Sequence, residues 1–274
     1  MRIPERNLSR ADNEGLFVYG MSALSADEVL LACGAAGLRA VSMHTAQLAA
    51  YEPTALQNVY RVAFDTHTDT LLLLVWAPTD DYYQLVSLRH NASKWLEVQR
   101  IGTRMNRFFR IFNFAVCDSR VLLGDIGSDT MYVFDVNAEH TLRDAGSVNW
   151  KISAYGVACT RRDGVTLVAF SHYTSVSLQR LASLPLRLEP IASVDLTDPN
   201  LLLFSGDLLL VADLNRATRT YAIVSFRASD NALTERQVLL DAEAGVDVRD
   251  WALASDRLVL WNWAPKELRV YAFT

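Results

Sequence analysis

A short alternating segment returns six times along the chain at a nearly constant interval. It reads LRAVSM at residues 38–43, YQLVSL at 83–88, MYVFDV at 131–136, VSLQRL at 176–181, YAIVSF at 221–226 and LRVYAF at 268–273. With the last residue of each as a marker (Met43, Leu88, Val136, Leu181, Phe226, Phe273), the intervals are 45, 48, 45, 45 and 47 residues. Alternation of apolar and polar residues over such lengths is the pattern of a strand covered on one face. A fixed period of this size means that one small structural repeat is stacked against copies of itself, because no single copy can bury its apolar face alone.

Each marker segment has companions at similar offsets. Apolar runs precede it at residues 29–32, 71–75, 121–123, 166–169, 208–211 and 258–260, short enough and continuous enough for strands covered on both faces. Turn-forming stretches lead into four of these runs: LSADEVLL from Leu24, VCDSRVLL from Val116, FSGDLLLV from Phe204 and LASDRLVL from Leu253. Ser and Asp side chains bond to local backbone and Gly accepts positive φ, so these read as hairpin turns. First strands are expected at 16–19, 60–64, 109–114, 154–158, 201–204 and 251–253, and polar trailing strands at 47–51, 95–100, 142–148, 186–194 and 233–240. Four antiparallel strands in about 45 residues is the size of one propeller blade. The expected fold is therefore all-β: a six-bladed β-propeller of four-stranded antiparallel blades, a single domain over 1–274 with blades at 15–51, 58–101, 107–148, 152–194, 200–240 and 247–274. The last repeat stops at Thr274 after its third strand. Residues 2–9 (RIPERNLS) are expected to return as its fourth and close the last blade, with Pro4 tolerated on a sheet edge.

On these residues the chain resembles the β-propeller superfamily, in the broad sense that includes WD40-like and NHL-like repeats, across all six repeats. The WD dipeptide and the Gly-His pair of WD40 blades are absent, so that side-chain network is not expected here. The stretches VLLGDIGSDTMYVFDV from Val121 and LLLVADLNRATRTYAIVSF from Leu208 are similar to NHL-type strands in having an Asp close the second strand.

Composition narrows the function classes. Lys and Arg number 26 against 31 Asp and Glu, for a net charge of -5, which argues against a general binder of nucleic acid or anionic membrane. The longest apolar runs, such as 71–78, fall far short of the roughly 20 residues that span a bilayer. Residues 1–15 mix Arg2, Arg6 and Arg10 with Glu5, Asp12 and Glu14 and hold no apolar stretch of the secretory kind, so a cytoplasmic or nuclear location is expected. Cys33, Cys117 and Cys159 are odd in number and lack CxxC spacing, and they read as reduced core residues rather than disulfide or metal partners.

No phosphate loop, HExxH or GxSxG pattern occurs. The five histidines (His44, His67, His90, His140, His172) are scattered near strand ends and read as solvated loop residues. Of the tryptophans, most read as packing between blades, with Trp95 and Trp263 the candidates for exposure. Arg104, Arg107 and Arg110 mix with Phe108 and Phe109 ahead of the third repeat and suit rim ion pairs or an acidic partner. Arg61, Arg110, Asn113, Arg249 and Asp250 fall in or beside first strands, which line the axial channel of a propeller, where a small molecule or an ion could sit. Asp125 and Asp213, with Asp80, Asp81, Asp129 and Asn262, are expected on the loop face shared with Arg104 and Arg107. The function favoured is a non-catalytic protein–protein interaction scaffold or complex subunit that presents propeller loops to a protein partner, with no cofactor. The alternative is a metal-dependent hydrolase of the lactonase or esterase kind with a divalent ion in the axial channel. The cationic first strands, Arg61, Arg110 and Arg249 against Asn113 and Asp250, oppose it.

Overall fold

Hairpin chemistry sets the frame of this computed structural model, which describes residues 6–7, 17–45, 47–51, 56–78, 82–92, 94–102, 113–125, 129–150, 156–215, 217–218, 220–229, 232–244, 248–255, 257–262 and 267–272. At Asp118-Ser119 both residues have positive φ (43° and 67°), as do Asp163 and Gly164 (48° and 80°). Two such residues in a row give the tight turn whose twist matches its flanking strands, closing the ladders at Cys117↔Arg120 and Arg162↔Val165.

Twenty-four strands form six four-stranded antiparallel sheets, and no helix occurs among the described residues. After β1 (Arg6–Asn7), the first blade holds β2 (Gly20–Ala23), β3 (Glu28–Ala32), β4 (Leu38–Ser42) and β5 (Leu48–Ala50). The second holds β6 (Val59–Asp65), β7 (Thr70–Ala77), β8 (Tyr82–Asn91) and β9 (Lys94–Gly102). The third holds β10 (Asn113–Cys117), β11 (Arg120–Asp125), β12 (Thr130–Val136) and β13 (Leu142–Asn149). The fourth holds β14 (Gly156–Arg162), β15 (Val165–Ser171), β16 (Ser175–Ser183) and β17 (Leu186–Asp195). The fifth holds β18 (Pro199–Ser205), β19 (Leu208–Asn215), β20 (Thr220–Ala228) and β21 (Leu233–Ala244). The sixth holds β22 (Val248–Ala254), β23 (Arg257–Asn262) and β24 (Glu267–Ala272). The chain is a six-bladed β-propeller. On β24, Arg6 lies opposite Val270 and Asn7 opposite Arg269, so β1 occupies the fourth position of the sixth sheet.

Burial follows strand position within a blade. The second strands are covered on both faces, as in β7, whose first six residues are all buried, and this is why they read as unbroken apolar runs. The fourth strands β9 and β17 are almost wholly exposed or half-buried, and the pairing of β8 with β9, β12 with β13 and β16 with β17 is broken by a bulge mid-ladder. Bulges and charged residues on outer strands discourage edge-to-edge association.

The described residues group into two compact units. One comprises Met1–Arg107, Ala138–Thr141 and Asp247–Thr274, and the other Phe108–Asn137 and Leu142–Val246. In the first, a core of Val29, Leu31, Val41, Ala252, Val259, Trp261 and Leu268 joins the sixth blade to the first. In the second, Ala115, Leu122, Val133, Val157, Val168 and Phe170 join the third blade to the fourth.

Close approach of first strands depends on glycine at their start. A Cβ on Gly20 would lie 2.9 Å from the Arg61 Cα, and one on Gly156 would collide with the Asn200 carbonyl oxygen. Gly156→Ala is therefore expected to cost about 1–3 kcal/mol in urea denaturation, because backbone and not a flexible side chain must give way. An unchanged midpoint would mean that β14 can withdraw from β18 freely.

Three expectations are corrected. The first strand of the first blade lies at Gly20–Ala23 and not at the expected 16–19, because the following turn and not hydrophobicity sets where the strand lies; residues 109–112 and 154–155 of two further expected first strands lie outside the described residues. Cys117 and Cys159 are disulfide-bonded, leaving Cys33 as the free cysteine, and it is buried. Trp95 is 7% exposed, held by an Nε1–H donated to the Tyr51 hydroxyl at 2.6 Å and by the edge of Phe64; Trp263 lies outside the described residues. Among the described residues no helix is long and apolar enough to cross a membrane.

Candidate functional site

The first unit gathers four aromatic rings on its first two blades. Tyr19 precedes β2 and is anchored by its N–H to the Ala32 carbonyl at 2.9 Å. Its ring lies on Gly34, where a Cβ would come within 2.9 Å of Tyr19 Cε2. Gly34 in turn exchanges backbone hydrogen bonds with Val59 at 2.8 and 3.0 Å, which ties the first blade to β6. Tyr60 on β6 meets Tyr19 with ring centroids 4.7 Å apart, and presents its edge to Tyr83 at 5.7 Å. Trp76 and Tyr83 are directly opposed on β7 and β8 and pack edge to face at 4.9 Å. All four side chains are partly exposed. Burial raises the Tyr60 and Tyr83 hydroxyls above their ordinary range, with their neighbouring tyrosines adding to it and Arg61 opposing it at Tyr83.

Arg61 lies beside this row, and Asp250 lies near Arg61. Arg61 follows Tyr60 and donates Nη1–H to the Tyr60 carbonyl at 3.3 Å. Asp250, on β22, accepts the backbone N–H of Trp251 at 2.9 Å and that of Met21. Burial pushes its carboxyl up to about 6, against the pull of Arg61 and those two N–H groups. The folded protein thus holds this proton more tightly than the unfolded chain, whose value is 3.8. Ionising the group costs about 3 kcal/mol of stability at neutral pH, a cost that vanishes as pH falls from about 6 towards 4. Asp250→Asn should match the wild type near pH 4 and exceed it by up to about 3 kcal/mol at pH 7.5, read as urea midpoints across that range. A difference that is constant with pH would show that Asp250 does not titrate there.

Of the residues singled out from sequence, Arg61 and Asp250 come together, and Arg249 is exposed beside Asp250 on β22. Asn113 opens β10, in the other unit. Arg104, Arg107 and Arg110 lie outside the described residues. Asp125 and Asp213 do not project from a loop face: they are 1% and 8% exposed. Asp213 accepts the N–H groups of Thr197 and Asp198 at 3.0 and 2.8 Å and so holds the turn leading into β18. Both carboxylates sit at second-strand ends, and at Asp213 a buried acceptor satisfies backbone donors of a turn.

The histidines do not converge either. His44 pairs with Asp27 at 2.7 Å, His140 Nδ1 meets the Thr70 hydroxyl at 2.8 Å, and His172 Nε2 meets Ser177 at 2.9 Å. Burial lowers the His172 imidazole below its usual range. Among the described residues no group of three or more His, Cys, Asp or Glu could hold a metal ion.

The aromatic row itself was not read from the sequence. Trp76 and Tyr83 flank one hairpin at positions that its register brings face to face, which is the signal a cross-strand analysis would use.

No family model matches the chain, and no curated protein matches it. Solved structures do. A functionally unknown protein from Desulfotomaculum acetoxidans aligns at 14% identity over 94% of this chain and 83% of that one, with a TM-score of 0.66. A putative oxidoreductase (glucose dehydrogenase) from Thermus thermophilus aligns at 11% identity over 98% and 100%, with a TM-score of 0.64. The β-propeller domain of Cps50 (Swd1) from Myceliophthora thermophila aligns at 12% identity over 94% and 84%, with a TM-score of 0.56. At these identities the likeness is one of fold, and the fold carries unlike activities.

Proposed function

We propose that the protein is a non-catalytic interaction module that binds a protein partner through the Tyr19, Tyr60, Tyr83 and Trp76 row with Arg61 beside it. The observation that carries this reading is the partial exposure of four mutually packed rings on a rigid sheet scaffold. Trp, Tyr and Arg dominate the energetics of protein interfaces, because they bring large contact area at small entropic cost and keep a polar tip for a hydrogen bond. The hydrolase alternative has no comparable support. It needs carboxylates free to bind a divalent ion, whereas Asp250 accepts two backbone N–H groups and faces the Arg61 cation.

The test is affinity purification of the tagged protein at native expression, followed by mass spectrometry and sizing. A stoichiometric partner that is lost from a Tyr60→Ala, Trp76→Ala double variant is the expected result. A lone monomer, or a partner retained by that variant, would overturn the reading.

A further inference from the structure

Cys117 ends β10 and Cys159 lies within β14, the first strands of the third and fourth blades, with Cα atoms 5.6 Å apart. That separation is within the range a disulfide requires. Both cysteines are 8% exposed, set among Ala115, Val157, Val168 and Phe170. The bond closes a loop that contains β11, β12 and β13, all the rest of the third blade. Cys33 offers no competing pairing. It belongs to the other unit, is buried, and its thiol is pushed up to about 12 by burial, so it stays protonated and cannot attack as a thiolate.

We infer that the Cys117–Cys159 pair is an oxidative modification site that staples the third blade to the fourth in the working protein, and that the chain matures where thiols are oxidised. The inference is independent of the aromatic row, which lies in the other unit. In an oxidising compartment such bonds persist, and in a reducing one they do not. The oxidant is a small or protein-borne disulfide. One cysteine thiolate attacks it, forming a mixed disulfide and releasing one thiol; the second cysteine thiolate then displaces the other thiol. The cysteine pair loses two electrons, the oxidant gains them, and the two protons leave on the released thiols. The link restricts the unfolded chain more than the native one, so its effect falls on stability.

Protein isolated from its own cells into acid, denatured and treated with N-ethylmaleimide should carry one adduct, on Cys33, and three after dithiothreitol. Three adducts without reductant would overturn the inference. In thermal melts, reductant sufficient to give three adducts should lower the wild-type midpoint by roughly 10 °C. It should leave a Cys117→Ala, Cys159→Ala variant unmoved. An unchanged wild-type midpoint after verified reduction would overturn the stapling role, and the adduct count decides the matter even where the double variant fails to fold.

Discussion

Trp261→Ala should lower stability by about 4 kcal/mol and the melting midpoint by roughly 10 °C. Trp261 is fully buried on β23, opposite Asp250 and Leu268 in register, and packs in the core that joins the sixth blade to the first. Its removal leaves a cavity that Val29, Leu31 and Val259 cannot fill, since each is itself held in a ladder. Trp261→Phe discriminates packing from polarity. The Trp261 Nε1–H is buried without a hydrogen-bond partner among the described residues, so the phenylalanine variant sheds an unsatisfied donor along with part of the ring. It should lose less than half of what the alanine variant loses. Equal losses would show that the indole N–H is satisfied in solution, and a wild-type midpoint for Trp261→Ala would mean that this core is not packed as described.

The second large effect is on binding. Tyr60 touches two rings, Tyr19 on one side and Tyr83 on the other, so its truncation breaks the row at its middle. Tyr60→Ala should weaken the captured partner by at least about 30-fold, or about 2 kcal/mol, in titration calorimetry. Tyr60→Phe keeps the ring and tests the hydroxyl alone. Leu184, 94% exposed at the hairpin between β16 and β17, provides the contrast: Leu184→Ala should leave affinity unchanged. Loss of affinity from Leu184→Ala with none from Tyr60→Ala would move the interface to the other unit.

The repeat was legible because one strand in each blade keeps its alternation wherever it sits, as LRAVSM and YAIVSF do. Turns were legible where chemistry dictates them, as at Asp118-Ser119 within VCDSRVLL, whose positive φ values suit short polar side chains. The start of β2 was not, since the apolar stretch at 17–19 lies ahead of the point where pairing begins. Buried Asp125 and Asp213 look, as letters, the same as turn aspartates in water. The aromatic row was hidden for a related reason: Tyr19, Tyr60, Trp76 and Tyr83 are residue types that also fill cores, and only the register of β7 on β8 and the contact of Gly34 with Tyr19 bring them into one surface. The cysteine pair left a trace in its interval of 42 residues, close to one period, which places both on first strands of successive repeats.

The division of the strands between the two units bears on how the molecule is made. One unit is drawn from a nearly continuous stretch, 108–246, whereas the other needs Trp261 and its neighbours, near the far end of the chain, to cover Val29 and Leu31 near the start. During synthesis on the ribosome the cores within 108–246 have all their residues before the core that joins the first blade to the sixth. The opening blades must wait, with one apolar flank uncovered, until β22 to β24 emerge, and it is over that interval that a nascent chain of this design depends most on whatever shields it.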